Sequence, residues 1–172
     1  MKIAVISDTH DNSSAVTWII KYLNEHKITI ALHAGDIINP GMVMRFHKHY
    51  TGHLHFIFGN NDGERAGLMA RTTPLENVSC HGDTLRMELA GRMIFMNHFS
   101  DMSQNVAQSG VFDVCIGGHD HQYRVIEGPS LFINPGNTVT KDEWLMQDAD
   151  KESSFVLLDL DTLETERIMV SD

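Results

Sequence analysis

The chain has 172 residues, 42% of them apolar and 21% charged, with 13 Lys and Arg against 23 Asp and Glu for a formal charge of −10. That length suits one domain spanning residues 1–172, with a core that needs no disulfides, and the composition excludes wholesale disorder. The acidic balance argues against a general nucleic-acid or anionic-membrane binder, because both need a basic face.

Lys2–Ser7 reads as a buried strand from its Ile and Val content. Asp11, Asn12 and Ser13 offer helix caps, and Ala15, Trp18, Ile19, Tyr22 and Leu23 then recur at helical spacing. A second apolar run, Ile28–Leu32, ends at His33-Ala34-Gly35-Asp36. Pro40 opens a helix whose apolar side holds Val43, Met44 and Phe46. A third strand, Leu54–Phe58, ends at Gly59-Asn60-Asn61-Asp62. Strand, helix, strand, helix, strand is most economically a parallel sheet with right-handed crossovers.

The second half changes character. Thr84–Leu89 and Met93–Met96 flank Ala90-Gly91 as a hairpin. Ser100 caps a helix running to about Ser109 and ended by Gly110. Val111–Ile116 is another buried strand, followed by Gly117-Gly118-His119-Asp120-His121. Tyr123–Ile126 and Leu131–Ile133 read as an antiparallel pair, Asn134-Pro135-Gly136-Asn137 as a turn, and 141–152 as a polar, acidic loop. Phe155–Leu160 and Thr165–Val170 close the chain as a hairpin.

Only Cys80 and Cys115 are present, so neither a disulfide scaffold nor a thiolate zinc site is expected. The amino-terminal apolar run is too short for a signal peptide, and no stretch approaches a membrane span. A cytoplasmic protein without a membrane partner is the expectation.

The 11 histidines are an unusual supply of neutral metal ligands. The polar residues of interest sit at strand ends: Asp8 and His10, Asp36, Asn60, His98, then His119 and His121. Carboxyl ends of parallel strands line one sheet edge, where open α/β proteins place their sites. The spacings, 28 residues from Asp8 to Asp36 and 24 from Asp36 to Asn60, match single βαβ units. Asp, His and Asn without Cys favour manganese, iron, zinc, cobalt or nickel. Seven ligands exceed one tetrahedral ion and suit two ions about 3.5–4 Å apart that share a carboxylate. Taken singly, each fragment has a bland reading as a cap, a turn or a satisfied histidine. His53-Leu54-His55 has the same spacing but begins a strand, so it reads as no ligand pair. His33 reads as structural or supporting, and His26, His47, His49 and His81 as surface residues.

Asp8-x-His10, Gly35-Asp36, Gly59-Asn60-x-Asp62, His98 and Gly118-His119-x-His121 together resemble the ordered motif set of the calcineurin-like metallophosphoesterases. Asn134-Pro135-Gly136, the short length and Gly59 to Glu64 resemble its small YfcE-type phosphodiesterase branch, over essentially the whole chain. The resemblance implies an α/β fold, a four-layer αββα sandwich of two mixed sheets flanked by helices. It implies that Asp8, His10, Asp36 and His121 hold one metal, and that Asn60, His98 and His119 hold a second across a bridging Asp36. Two divalent ions per chain are expected, Mn2+ first, with Ni2+, Fe2+, Co2+ or Zn2+ as substitutes.

The expected activity is hydrolysis of a small phosphate ester, first of all a phosphodiester, by a hydroxide bridging the two metals. Asp36, Asn60, Asp62 and His98 are the expected catalytic residues, with Asp62 orienting a nearby ligand or water. By the same resemblance a homo-oligomer is the expected association. The rival readings are a non-catalytic interaction scaffold of the same fold, like the small retromer subunit, and a nuclease. The filled ligand set and the missing basic groove weigh against them. Two positions depart from the pattern. Asn61 stands where many relatives carry a proton-donating His, and Asn supplies no proton. Phe99 follows His98 where Gly is common, and so narrows the pocket or alters the backbone there.

Overall fold

The computed structural model describes residues 1–139 and 150–171, and among these are eleven strands and four helices. Of the loop expected at 141–152, only 150–152 lies within the described residues, and it is irregular there.

The first sheet contains β1 (Lys2–Ile6), β2 (Ile30–His33), β3 (His53–Phe56) and β4 (Val78–Cys80), all parallel. The antiparallel strands β10 (Ser154–Asp159) and β11 (Thr165–Met169) extend it past β1 in the order β11-β10-β1-β2-β3-β4. In the second sheet, β6 (Arg92–Phe99), β7 (Val114–Gly118) and β9 (Leu131–Pro135) are parallel. The antiparallel strands β5 (Thr84–Leu89) and β8 (Tyr123–Ile126) flank them in the order β5-β6-β7-β9-β8.

Period-two alternation explains the layering. In β1, Ala4 and Ile6 join a core with helix residues Val16, Ile19, Leu23, Val43 and Phe46. Ile3 and Val5 face the other way, against Ile94, Met96, Val114 and Ile116 of the second sheet. Both faces are covered, so the strand is apolar from Ile3 to Ile6, as its sequence required. Helices α1 (Ser13–Glu25) and α2 (Pro40–His49) lie on the outside of the first sheet. Helix α4 (Ser100–Gln108) lies on the outside of the second, where Ala107 packs on Phe95, Cys115 and Phe132. The result is the four-layer αββα sandwich of mixed sheets.

Several local expectations shift. Helix α3 (Arg65–Thr72) and β4 were not expected: α3 buries only Leu68 and Thr72, and β4 buries only Val78, so neither leaves a periodic signal. Strand β7 begins at Val114 rather than Val111, because the Val111 side chain is 70% exposed and Asp113 turns in to accept hydrogen bonds from the Met93 N–H and Arg92. Asn12 caps α1, and Pro40 opens α2 behind Asn39. Ser100 does not cap α4. Phe99 occupies that place without a side-chain bond, and the Ser100 hydroxyl donates to the Gly118 carbonyl instead. Asn134 and Pro135 belong to β9, and the bend falls at Gly136, with φ of +81°.

Candidate metal centre

The parallel strands of both sheets deliver their polar ends to one edge of the sandwich. Asp8 and His10 follow β1, Asp36 follows β2 and Asn60 follows β3. From the second sheet come His98, near the end of β6, and His119 and His121 after β7. His98 therefore lies within its strand rather than beyond it.

These loops are tightly wound. Asp8, His10, Asp36, His119 and His121 all have φ between +40° and +73°, a region that non-glycine residues seldom occupy. The turns are pinned by backbone bonds from the Asp8 N–H to the Gly35 carbonyl and from the His10 N–H to the Asp36 carbonyl, both 3.0 Å. The motif glycines permit close approach. A Cβ on Gly118 would come within 2.0 Å of Ser7 Oγ, and one on Gly59 within 2.1 Å of Asp36 Oδ1.

Asp8 and His98 each have one atom tied down and another left facing the cluster. Asp8 is fully buried, and its Oδ2 accepts from the Ser7 hydroxyl and from the His119 N–H at 3.0 Å. Its Oδ1 has no hydrogen-bond partner and lies 3.6 Å from His10 Nε2 and 3.3 Å from His121 Nε2. The two imidazole nitrogens are 3.1 Å apart. His98 Nδ1 lies 2.8 Å from the Ala34 carbonyl, an acceptor that fixes Nδ1–H and makes Nε2 the nitrogen turned to the cluster. That Nε2 is 2.9 Å from Asn60 Oδ1, and His119 Nδ1 is 2.8 Å from the same oxygen. Asp36 joins the halves: its Oδ2 is 3.5 Å from both His10 Nε2 and His98 Nε2.

These donors fit divalent metal ions. Ligands about 2.1 Å from one ion, at angles between square and tetrahedral, lie about 3.0–3.4 Å from one another. The separations observed, from 2.8 to 3.6 Å, bracket that spacing, and two triads, Asp8/His10/His121 and Asp8/Asp36/His98, each converge within 4.8 Å. A buried carboxylate oxygen without a hydrogen bond among the described residues needs a counter-charge, and a cation held by Asp8, His10 and His121 would supply one.

Electrostatics agree. Burial alone would raise the Asp8 carboxyl, but His10 and His121 hold it well below the usual carboxylate range. Burial likewise pulls His98 down, yet Asp36 and Asp8 outweigh it and hold the imidazole up at about 9. Asp36 is lowered because the contact with His98 overcomes its burial. The edge is thus a nest of cation-seeking carboxylates.

Asp62, expected to orient a nearby ligand or water, sits against the backbone that carries Asp36 and Asn60. It is 1% exposed, and its carboxylate accepts from the backbone N–H groups of Asp36, Ile38 and Gly59 at 2.9, 2.6 and 2.7 Å. It fixes the two loops that carry Asp36 and Asn60. Burial raises its pKa against these donors. Arg65 supports the same loop from outside, through the Asp62 and Gly59 carbonyls. His33 is fully buried against Thr9 and pushed down to about 4 by burial, a supporting role.

The sequence reading missed the Ser7 tether on Asp8 and the role of Asn134, whose amide donates to Ser100, Gly118 and Asp120 and so braces the His119–His121 loop. It also missed that Asn61 donates twice to Asp36, from its N–H at 2.8 Å and from its amide at 2.7 Å. The unusual position 61 was a visible signal, but a carboxylate acceptor 25 residues away was not.

Residues 1–163 match the family model of the calcineurin-like phosphoesterase superfamily domain. The chain belongs to that superfamily. Phosphodiesterase MJ0936 of Methanocaldococcus jannaschii is 31% identical over 140 residues, covering 79% of this calcineurin-like chain and 83% of that protein. The solved structure of an archaeal phosphodiesterase superposes with a TM-score of 0.84 at 26% identity, over 98% of this chain and 99% of that one. The Escherichia coli phosphoesterase Yfce superposes at 0.66 with 17% identity, over 99% and 100% of the two chains, a likeness of fold alone. Calcineurin-like phosphoesterases hydrolyse phosphate esters, and this chain carries candidate metal ligands at the edge where its sheets converge. No helix among the described residues is long and apolar enough to cross a membrane.

Proposed function

We propose that the chain, as one domain over 1–172, is a cytoplasmic phosphodiesterase that works with two divalent ions, manganese first. The observation that carries this reading is Asp36, whose Oδ2 stands equidistant, at 3.5 Å, between His10 and His98. Asp8, His10, Asp36 and His121 would hold one ion, and Asp36, Asn60, His98 and His119 the other. Such ions supply Lewis acidity, acidifying water and neutralising phosphoryl charge.

The chain's own residues set the geometry. Ser7 and the His119 N–H turn Asp8 so that Oδ1 faces inward. Ala34 orients His98, and Asp62 locks the loops on either side of Asp36. Two carboxylates against two divalent ions leave the site net positive, which suits an anionic diester on an otherwise acidic protein. Asn61 uses its amide on Asp36 and has no titratable proton for a departing oxygen, so good leaving groups are favoured.

The test is hydrolysis of bis(p-nitrophenyl) phosphate by metal-stripped protein re-supplied with Mn2+, Ni2+, Co2+, Fe2+ or Zn2+. Turnover restored by metal, and greater on diesters than on monoesters, is expected. Equal turnover in chelator, or none with any ion, would overturn the reading.

A further inference from the structure

Helix α4 begins with its polarity inverted. Ser100 and Ser103 are buried, and their hydroxyls donate to the Gly118, Asn97 and Ile116 carbonyls. The large apolar side chains of the same turn face out: Phe99 is 39% and Met102 49% exposed. Folding does not ask for this arrangement, since the hydroxyls already anchor the helix and an exposed apolar pair gains nothing from water.

The strand leading into α4 is also irregular. Met96 pairs with Ile116 and Phe99 with Gly118, so β6 carries one residue more than β7 across that interval. Such bulges re-aim side chains beside functional sites. Here His98 turns inward to Ala34, and Phe99 is left at the rim. Its ring lies edge-on to His119, with centroids 4.8 Å apart and planes at 65°. Phe99 and Met102, with Asp101, Asn105, Val106 and Ser109, line a shallow groove whose Phe99 side adjoins His119 of the candidate metal centre.

We propose that this groove is a substrate subsite that receives an aromatic ester arm, an aryl or nucleobase ring, stacked on Phe99 and against the Met102 thioether. The inference rests on the phosphodiesterase reading of the adjoining site and adds the class of substrate. Phosphorus held beside His119 puts the first atoms of an ester arm next to the Phe99 ring. A planar ring there gains offset or edge-on aromatic contact and a sulfur contact, whereas a methyl group reaches neither surface. The absence of a proton donor at Asn61 points the same way, because aryl oxygens leave without one.

The test is equilibrium binding of phenylphosphonate and methylphosphonate to the manganese-loaded protein by calorimetry. We expect phenylphosphonate to bind about tenfold more tightly, Phe99→Ala to bring the ratio near one, and Phe99→Leu to keep only part of it. Deoxythymidine 5′-phosphate against 2-deoxyribose 5-phosphate separates the sources: preference for the base-bearing member assigns a nucleobase, and none, with the phenyl preference intact, assigns an aryl group. Equal binding of the two phosphonates by wild type, or a ratio unchanged in Phe99→Ala, would overturn the proposal. Turnover of bis(p-nitrophenyl) phosphate is measured alongside. Turnover without phenyl preference sinks the groove alone, whereas phenyl preference without turnover sinks the phosphodiesterase reading and with it the groove's role in binding substrate.

Discussion

Three His-x-His pairs occur in this molecule, and the two that lie in or just after strands have different surroundings. His119 and His121 follow β7 in left-handed backbone, while His53 and His55 lie inside β3 in ordinary extended backbone. Both regions press imidazoles together: His10 and His121 nitrogens are 3.1 Å apart, and those of His55 and His81 are 3.0 Å apart. Carboxylates make the difference. At the strand ends, Asp8 and Asp36 outweigh burial and raise His10 and His98. At the β3–β4 edge, burial lowers His55 to about 4, and the neighbours that add to it are His53 and His81. The first arrangement has negative charge seeking a cation, whereas in the second the rings of His53 and His55 stack at 4.4 Å and each disfavours charge on the other. Ligand spacing acquires meaning only from the carboxylates around it.

The contrast is broken most severely at its centre. Asp36→Ala should cut kcat/KM by more than about 10³-fold, roughly 4 kcal/mol of transition-state stabilisation, while His53→Ala stays near wild type. Similar losses in steady-state assays of both variants would mean that the edge histidines matter as much as the strand ends.

Next in size is the leaving group. Without a proton donor at position 61, wild type should favour activated aryl diesters over alkyl diesters by about 10²-fold or more, with a steep dependence on leaving-group pKa. Asn61→His should flatten that dependence, read from a series of substituted phenyl esters. A flat series in wild type, with chemistry rate-limiting, would show that the proton comes from elsewhere.

Asp62→Ala leaves three N–H groups, two of them in buried bonds, without their acceptor. A loss of about 2–4 kcal/mol in urea unfolding is expected, with activity down about 10–100-fold through the loosened loops. Asp83, exposed and paired with Arg65, should lose less than about 1 kcal/mol on the same change.

The smallest effect concerns acid. The folded pKa of His55 lies below its ordinary value, so between about 6.5 and 4 the unfolded chain binds the extra proton. Its contribution to stability is therefore complete above about pH 6.5 and is lost as pH falls towards 4. Because the ring is part exposed, solvent screening reduces this to about 1 kcal/mol. His55→Gln should thus narrow the fall in melting temperature of metal-free protein between pH 7 and pH 5. An equal fall in both proteins would show that the edge cluster does not titrate on unfolding.

Much of this was legible in the sequence, because strand ends are marked by where apolar runs stop. The runs before Asp8, Asp36 and Asn60 fix three strands, and parallel crossover then brings their ends together. The elements that escaped notice, α3 and β4, bury too little to leave a pattern. The contacts that finish the site are long-range, such as Asp62 to the Ile38 backbone or Asn134 to Asp120, and periodicity carries no record of them. Even Gly118, plain in its motif, does not disclose that Ser7 lies where its Cβ would be.

The most direct test is the manganese content of saturated, gel-filtered protein by elemental analysis. Two strand-end clusters joined by Asp36 predict a plateau of two ions per chain in wild type and in His53→Ala, and fewer than two in Asp36→Ala. A wild-type plateau at one ion or none, with full activity, would contradict the account.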